Sequence, residues 1–354
     1  VRKALGRLVD EAAVVRQGRA WRVARPRRRA DGVPPVLLCL GARDPEGGLR
    51  LDTDREWDFW REIQAEATRN GLHPEIHPWE GALPVPDSRP IGAVVSTWHL
   101  PDPYPLLSAL HRHRLPTAVW LEHPLLSPER LPAGSPWLGF HDLAYGRESG
   151  GVLGSHPAIR RHVRIAWISP FHGAEWSRNR LEGLRRSLPA ETILHQSLGP
   201  WVSEWDFQEA VWKDPRVWRR LRLDGVGGPT PAAHLAAPIM AAIGRDRLME
   251  RFAPALEAAL ASGSTLWVAA SDLIAMGCLG WLAARGVRVP RDIALAGFDD
   301  SREALRLGLT SVRFDTQAMA RAMVRQVLSP EGGRRRTIRY QGTVVVRGST
   351  PSRS

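Results

Sequence analysis

From Val36 onward the chain alternates short apolar runs with segments of helical spacing, and this alternation does most to limit what it can fold into. Val36 to Gly41 has the length and composition of a buried strand, Glu56 to Asn70 is helical and closed by Gly71, and Pro74 to His77 reads as the next strand. The cycle repeats with a strand over Ile91 to Thr97, a helix near Leu106 to His113 and a strand over Thr117 to Leu121. A second series opens with a strand over His162 to Ile168 and a helix from about Ala174 to Ser187. Alternation of this kind implies an α/β fold with a parallel sheet covered by helices on both faces, and two series imply two doubly wound subdomains with a cleft between them. Ligands of such sheets bind beyond the carboxyl ends of the strands. A chain of 354 residues is long enough to bury more than one core.

The segment Leu266 to Ala284 is apolar apart from Ser271 and Asp272, and so competes as a membrane span. It reads better as a strand over Thr265 to Ala270, a cap at Ser271 and Asp272, and a helix ending before Arg285 and Gly286, so no membrane partner is expected. Cys39 and Cys278 lie in separate apolar stretches without CxxC spacing, which argues against a disulfide framework or a structural zinc site and for a cytoplasmic location. An export signal is not expected either, because Val1 to Ala13 is interrupted by Arg2, Lys3, Arg7, Asp10 and Glu11. No GxSxG elbow, P-loop, HExxH or strand-linked GxGxxG is present, so neither catalysis nor a cofactor is expected. His111 and His113 stand two apart on a helix and do not face each other, so no metal site is expected.

The formal charge of +12 is unevenly spread: residues 1–30 hold ten cations and two anions, a local +8, and the rest of the chain carries only +4. In this head Leu5, Leu8, Val9 and Ala12 fall at helical spacing, which leaves Arg2, Lys3 and Arg7 to solvent or a partner. Val14 to Arg16 and Ala20 to Val23 then read as two short strands around a Gln17-Gly18-Arg19 turn. A basic helix followed by a basic hairpin has the shape of the second half of a winged helix-turn-helix, whose helix enters the major groove. The run Val1 to Glu11, with Val14 to Arg19 after it, resembles the recognition helix and wing of GntR-family transcription regulators. The two helices that precede the recognition helix in that family are absent from the sequence, so a truncated head is expected. The resemblance implies DNA contacts from Arg2, Lys3, Arg16, Gly18 and Arg19. Arg25 to Pro35, rich in Arg and Pro, reads as a linker.

The run Ser271-Asp272-Leu273-Ile274-Ala275-Met276-Gly277, followed by Gly286 to Asp300, resembles the effector domain of LacI/GalR-family repressors. Leu309 to Val312, Val345 to Thr350 and, upstream, Arg180-Leu181-Glu182-Gly183 fit the same pattern in the same order. A GntR-like head on a LacI-like body is the arrangement of arabinose-repressor-type regulators. The resemblance therefore implies a type I periplasmic-binding-protein-like fold over residues 36–354, after a partial winged helix at 1–24 and the linker at 25–35. Its first subdomain is expected over about 36–160 plus 312–329, and its second over about 161–300 plus 336–350.

Such a chain is expected to be a sequence-specific DNA-binding regulator, a repressor and a homodimer, controlled by a sugar-like effector held between the subdomains. The alternative is a sugar-binding protein of a transport system, without DNA binding; a sugar-modifying enzyme on a similar scaffold is a further rival. By motif position Arg180, Ser271 and Asp299 stand where effector contacts are made, with Trp205 as an aromatic platform. Each also has a structural reading: Arg180 as a surface helix residue, Asp299 as a turn cap with Asp300, Ser271 and Asp272 as helix caps, Trp205 as core. The strand-end residues Asp44, Trp98, Glu122, His123 and Phe171 are expected to face the same cleft.

Overall fold

The computed structural model describes residues 14–17, 20–23, 34–43, 48–49, 54–83, 90–122, 126, 137–197, 199, 233–329 and 337–350. In chain order its elements are β1 (Val14–Gln17), β2 (Ala20–Val23), β3 (Val36–Gly41), α1 (Asp54–Arg69), β4 (His73–Pro78), β5 (Gly92–Ser96), α2 (Tyr104–Arg112), β6 (Thr117–Trp120) and β7 (Leu138–Asp142). They continue with α3 (Arg147–Ser155), α4 (Pro157–Arg160), β8 (Arg164–Ile168), α5 (Glu175–Ser187), β9 (Ile193–Ser197), α6 (Ala233–Ala261), β10 (Leu266–Ala269) and α7 (Asp272–Ala283). The last are β11 (Ala294–Phe298), α8 (Arg302–Arg306), β12 (Thr310–Arg313), α9 (Thr316–Leu328), β13 (Thr337–Arg339) and β14 (Thr343–Val345).

The chain divides into two compact units, one running to Leu143 and resuming over Asp315–Tyr340, the other covering Ala144–Phe314 and the stretch from Gln341. The first unit holds a six-stranded sheet in the order β13-β7-β6-β5-β3-β4, with every pair parallel. Strands covered on both faces must be apolar throughout, and β3, β5 and β6 are buried along their whole length. α9 covers this sheet through Met319, Ala320, Met323, Val324 and Val327, a helical stripe, and Asp315 caps it by accepting from the Ala318 N–H at 2.9 Å.

The second unit holds a sheet in the order β14-β12-β11-β10-β8-β9, parallel except for β14 against β12. Trp167 and Trp267 are fully buried on adjacent strands of it. α3 and α5 cross through glycines: a Cβ on Gly150 would lie 2.0 Å from the Arg180 carbonyl oxygen, and one on Gly183 would lie 1.8 Å from that of Arg147. Only bare backbone allows this approach, which also fixes where α5 presents Arg180.

Both parallel α/β units expected from the alternation are present. Their boundaries differ from the expectation. Residues 144–160 belong with the second unit, because α3 is locked onto α5, and Thr337–Arg339 belong with the first, because β13 extends its sheet alongside β7. At the head, β1 and β2 pair antiparallel with Gln17 opposite Ala20. The expected recognition helix and most of the linker lie outside the described residues.

Candidate functional site

Arg180 is the organising residue at the carboxyl edge of the second unit's sheet. It sits one turn into α5 and is only 3% exposed, so its charge needs partners. Nε donates to the Tyr145 carbonyl at 3.0 Å, Nη1 to the Ala270 carbonyl at 2.6 Å, just past β10, and Nη2 to Asp299 Oδ1 at 2.9 Å, just past β11. The guanidinium also lies over three rings, those of Phe298, Trp176 and Phe314, at 4.8, 5.1 and 5.5 Å. These bonds use one N–H on each nitrogen, and a guanidinium carries five, so the fork is fixed in orientation with donors to spare. The surface-helix reading of Arg180 is therefore wrong.

Asp299 keeps 29% of its side chain exposed beside this buried cation. One of its lone-pair directions is taken by Arg180, and a carboxylate offers about four. Its backbone has φ of +102°, and Asp300 follows at +49°. Side chains rarely tolerate this region, and such strain gathers where a turn must present a group in one direction. The two acids divide their work. Asp300 is structural, bound at 2.5 Å by both Arg313 and Arg347, whereas Asp299 faces Arg180.

Ser271 occupies the N-cap position of α7 but makes no capping hydrogen bond, contrary to the capping expectation. Asp272 turns its carboxylate to the Ser301 N–H and the Ser311 hydroxyl, at 2.8 and 2.7 Å. Burial, with Asp299 nearby, pushes its pKa up to about 8. Phe171, expected at a strand end, is buried with its ring 6.2 Å from that of Trp176. Trp176 was not anticipated; a Trp four residues before an Arg on a helix is the signal that marks such a stack.

A second polar cluster stands at the carboxyl edge of the first unit's sheet. Arg55 Nη2 pairs with Glu122 Oε1 at 2.5 Å with both side chains buried, and its guanidinium lies 5.4 and 5.7 Å from the rings of Trp98 and Trp120. Thr97 Oγ1 donates to the Trp120 carbonyl at 2.8 Å. Trp98 and Glu122 thus come together as strand-end residues, and Arg55 is the partner that sequence reasoning missed. Trp205, Asp44 and His123 lie outside the described residues, as do Arg2, Lys3, Gly18 and Arg19; Arg16 lies on β1, its Cα paired with that of Trp21.

Burial pushes both thiols, Cys39 and Cys278, up to about 12, so neither is a nucleophile at neutral pH. Among the described residues no three His, Cys, Asp or Glu side chains gather to hold a metal ion, and no helix is long and apolar enough to cross a membrane.

The HTH-type transcriptional regulator MalR of Streptomyces coelicolor is 36% identical over 103 residues, 28% of this chain and 30% of that protein. An HTH-type regulator in the aml 5' region of Streptomyces limosus is 38% identical over 96 residues, 26% of this chain and 27% of that protein. The chain thus matches less than a third of the length of these relatives. Among solved structures, the fold resembles that of the transcriptional regulator CelR in its cellobiose complex, with a TM-score of 0.54 at 18% identity over 98% of this chain and 90% of that one. It also resembles the Escherichia coli transcriptional repressor ascG, with a TM-score of 0.54 at 16% identity over 89% of this chain and 98% of that one. The family described as periplasmic binding protein-like domain matches residues 155–350, which include Arg180, Ala270 and Asp299, while Tyr145 precedes the matched stretch. By this match over more than half its length, the chain belongs to the periplasmic binding protein-like domain family.

Proposed function

We propose that the chain is a LacI-type transcription regulator, a cytoplasmic repressor whose DNA binding is controlled by a sugar held at the Arg180–Asp299 edge of the second unit. The observation that carries this reading is the pair itself: a buried guanidinium, oriented by two carbonyls and three rings, beside a part-exposed carboxylate. A planar donor fork next to an acceptor suits the paired hydroxyls of a sugar, and an aromatic wall suits its C–H face. Ser271, with its hydroxyl free of the capping role, adds a third polar group, and Trp205 is kept as a candidate platform.

The regulators among the relatives and the sugar in the CelR complex support the same class. DNA contacts are assigned to Arg2, Lys3, Arg16, Gly18 and Arg19, acting in a homodimer through a complete head. The protein is read as a binder rather than an enzyme, and a ligand acts on it only through its differential affinity for two conformations.

A thermal-shift screen of the chain against pentoses, hexoses and disaccharides tests the reading, because a true ligand stabilises by mass action. One sugar class is expected to raise the melting temperature. Asp299→Asn, which keeps the turn chemistry but not the charge, is expected to weaken that sugar at least tenfold in calorimetry, about 1.4 kcal/mol. Unchanged affinity in the variant removes Asp299 from the site. In a protein that carries this sensor with a DNA-binding head, the same sugar should alter operator affinity, and that affinity should fall with salt.

A further inference from the structure

Asp272 makes none of the contacts just assigned to a ligand, yet it underlies them. It is 1% exposed at the first residue of α7, and its partners are neutral groups, the Ser301 N–H and the Ser311 hydroxyl. Ser311 Oγ in turn accepts from the Asp300 N–H at 3.0 Å, and the Asp299 N–H donates to the Val312 carbonyl at 3.0 Å. Three successive amides of the strained turn are thus tied down, two of them through Asp272. The space for its carboxylate is built in: a Cβ on Gly297, in β11, would lie 2.4 Å from Asp272 Oδ1. A buried carboxylate without a cationic partner is costly, and it is kept where the geometry it imposes is needed.

We infer that Asp272 is a positioning residue for the ligand site: it holds the Asp299–Ser301 turn in its strained form and, by keeping or releasing a proton, sets the charge beside Asp299. This rests on reading Arg180 and Asp299 as a ligand site. The charged groups around it are Asp299 and Asp300 after β11, Arg180 from α5, engaged on Asp299, and Arg313 and Arg347, engaged on Asp300. With its proton on, Asp272 is neutral and Asp299 is the acid left to Arg180. The bond to Ser311 then runs from the carboxyl O–H to the hydroxyl oxygen, so the turn is held in both states while the charge differs. Release of the proton places a second negative charge against Asp299 at a site whose nearest cation is already paired.

The test uses the whole chain labelled with 13C at the aspartate carboxyls and titrated from pH 5 to 10, with resonances assigned by Asp272→Asn and Asp299→Asn. Asp272 is expected to titrate near 8, and the Asp299 resonance to show a step over the same range. Asp272→Asn should remove that step yet keep the turn, whereas Asp272→Ala should also displace the Asp299 resonance and speed exchange of the Ser301 amide. If Asp272 titrates in the ordinary carboxylate range, or Asp299 ignores the Asn variant, the inference is overturned, even should the Ala variant fail to fold. The resonances are read without ligand, so a chain that binds no sugar passes or fails here independently. Sugar binding with Asp299 indifferent to Asp272 overturns this inference and leaves the site reading standing.

Discussion

At Arg180 a single side chain closes the second unit's carboxyl edge, because its fork reaches three partners that a flexible ammonium cannot reach together. Arg180→Lys is accordingly expected to destabilise by about 1–3 kcal/mol for each carbonyl left without a donor. Denaturant unfolding with an unchanged slope checks this, and an unchanged midpoint would show that the fork has no structural part. The residue types at the site were legible in the sequence, since Arg180 and Asp299 stand in ordered motifs. Motif position singled out Asp299 rather than Asp300, but the physical reason was not legible: it is the approach of Arg313 and Arg347 that makes Asp300 structural and leaves Asp299 to Arg180. Asp272 read as a helix cap because residue type favours that; its partners Ser301 and Ser311 lie 29 and 39 residues on.

Among the elements, those with strong periodicity were readable to within a residue or two, as with the expected strand at Thr117 to Leu121 and the observed Thr117–Trp120. The strand, break and helix around Ser271 were also found where the spacing put them. α3 was not legible: its sequence, Arg-Glu-Ser-Gly-Gly-Val-Leu-Gly-Ser, is rich in a residue that disfavours helix, and what holds it helical is α5. β7 and β13 escaped for a related reason, since short strands owe their existence to neighbours in the sheet. The α3–α5 crossing makes a sharp prediction. Gly183→Ala meets backbone rather than a movable side chain, and overpacking of this kind costs roughly 1–3 kcal/mol or more. A calorimetric melt should show the loss, and it should exceed that of Gly280→Ala, where a Cβ has nothing within 4 Å.

For the whole molecule, the two units should respond to pH in opposite directions. His141, in the first, is bonded at 2.8 Å to both Gln326 and Tyr340, and burial pushes its pKa down to about 4. The unfolded chain takes up that proton from about 6.5, so the first unit is at full stability above this pH and loses roughly 3 kcal/mol by pH 4. Asp272, in the second, keeps its proton to about 8 while the unfolded chain releases it near 3.8. That contribution is complete below 3.8 and is lost as the pH rises through 8. Half-buried His162, pushed down to about 4, acts the other way only below 6.5. Between pH 6.5 and 8 the second unit should therefore lose about 2 kcal/mol. Denaturant series read by pulsed hydrogen exchange, with peptides of each unit followed separately, check both slopes, and Asp272→Asn should flatten the second.

The division of the chain also sets an order of events during synthesis. The first unit receives α9 and β13 only from Asp315–Tyr340, after nearly all of the second has been made. On the ribosome its sheet must wait, with the flank of β7 unpaired and the apolar bed of α9 uncovered, while the segment that will finish it is still being translated. The amino-terminal half is thus begun first and completed late, and its exposed edge is where a chaperone would find the nascent protein.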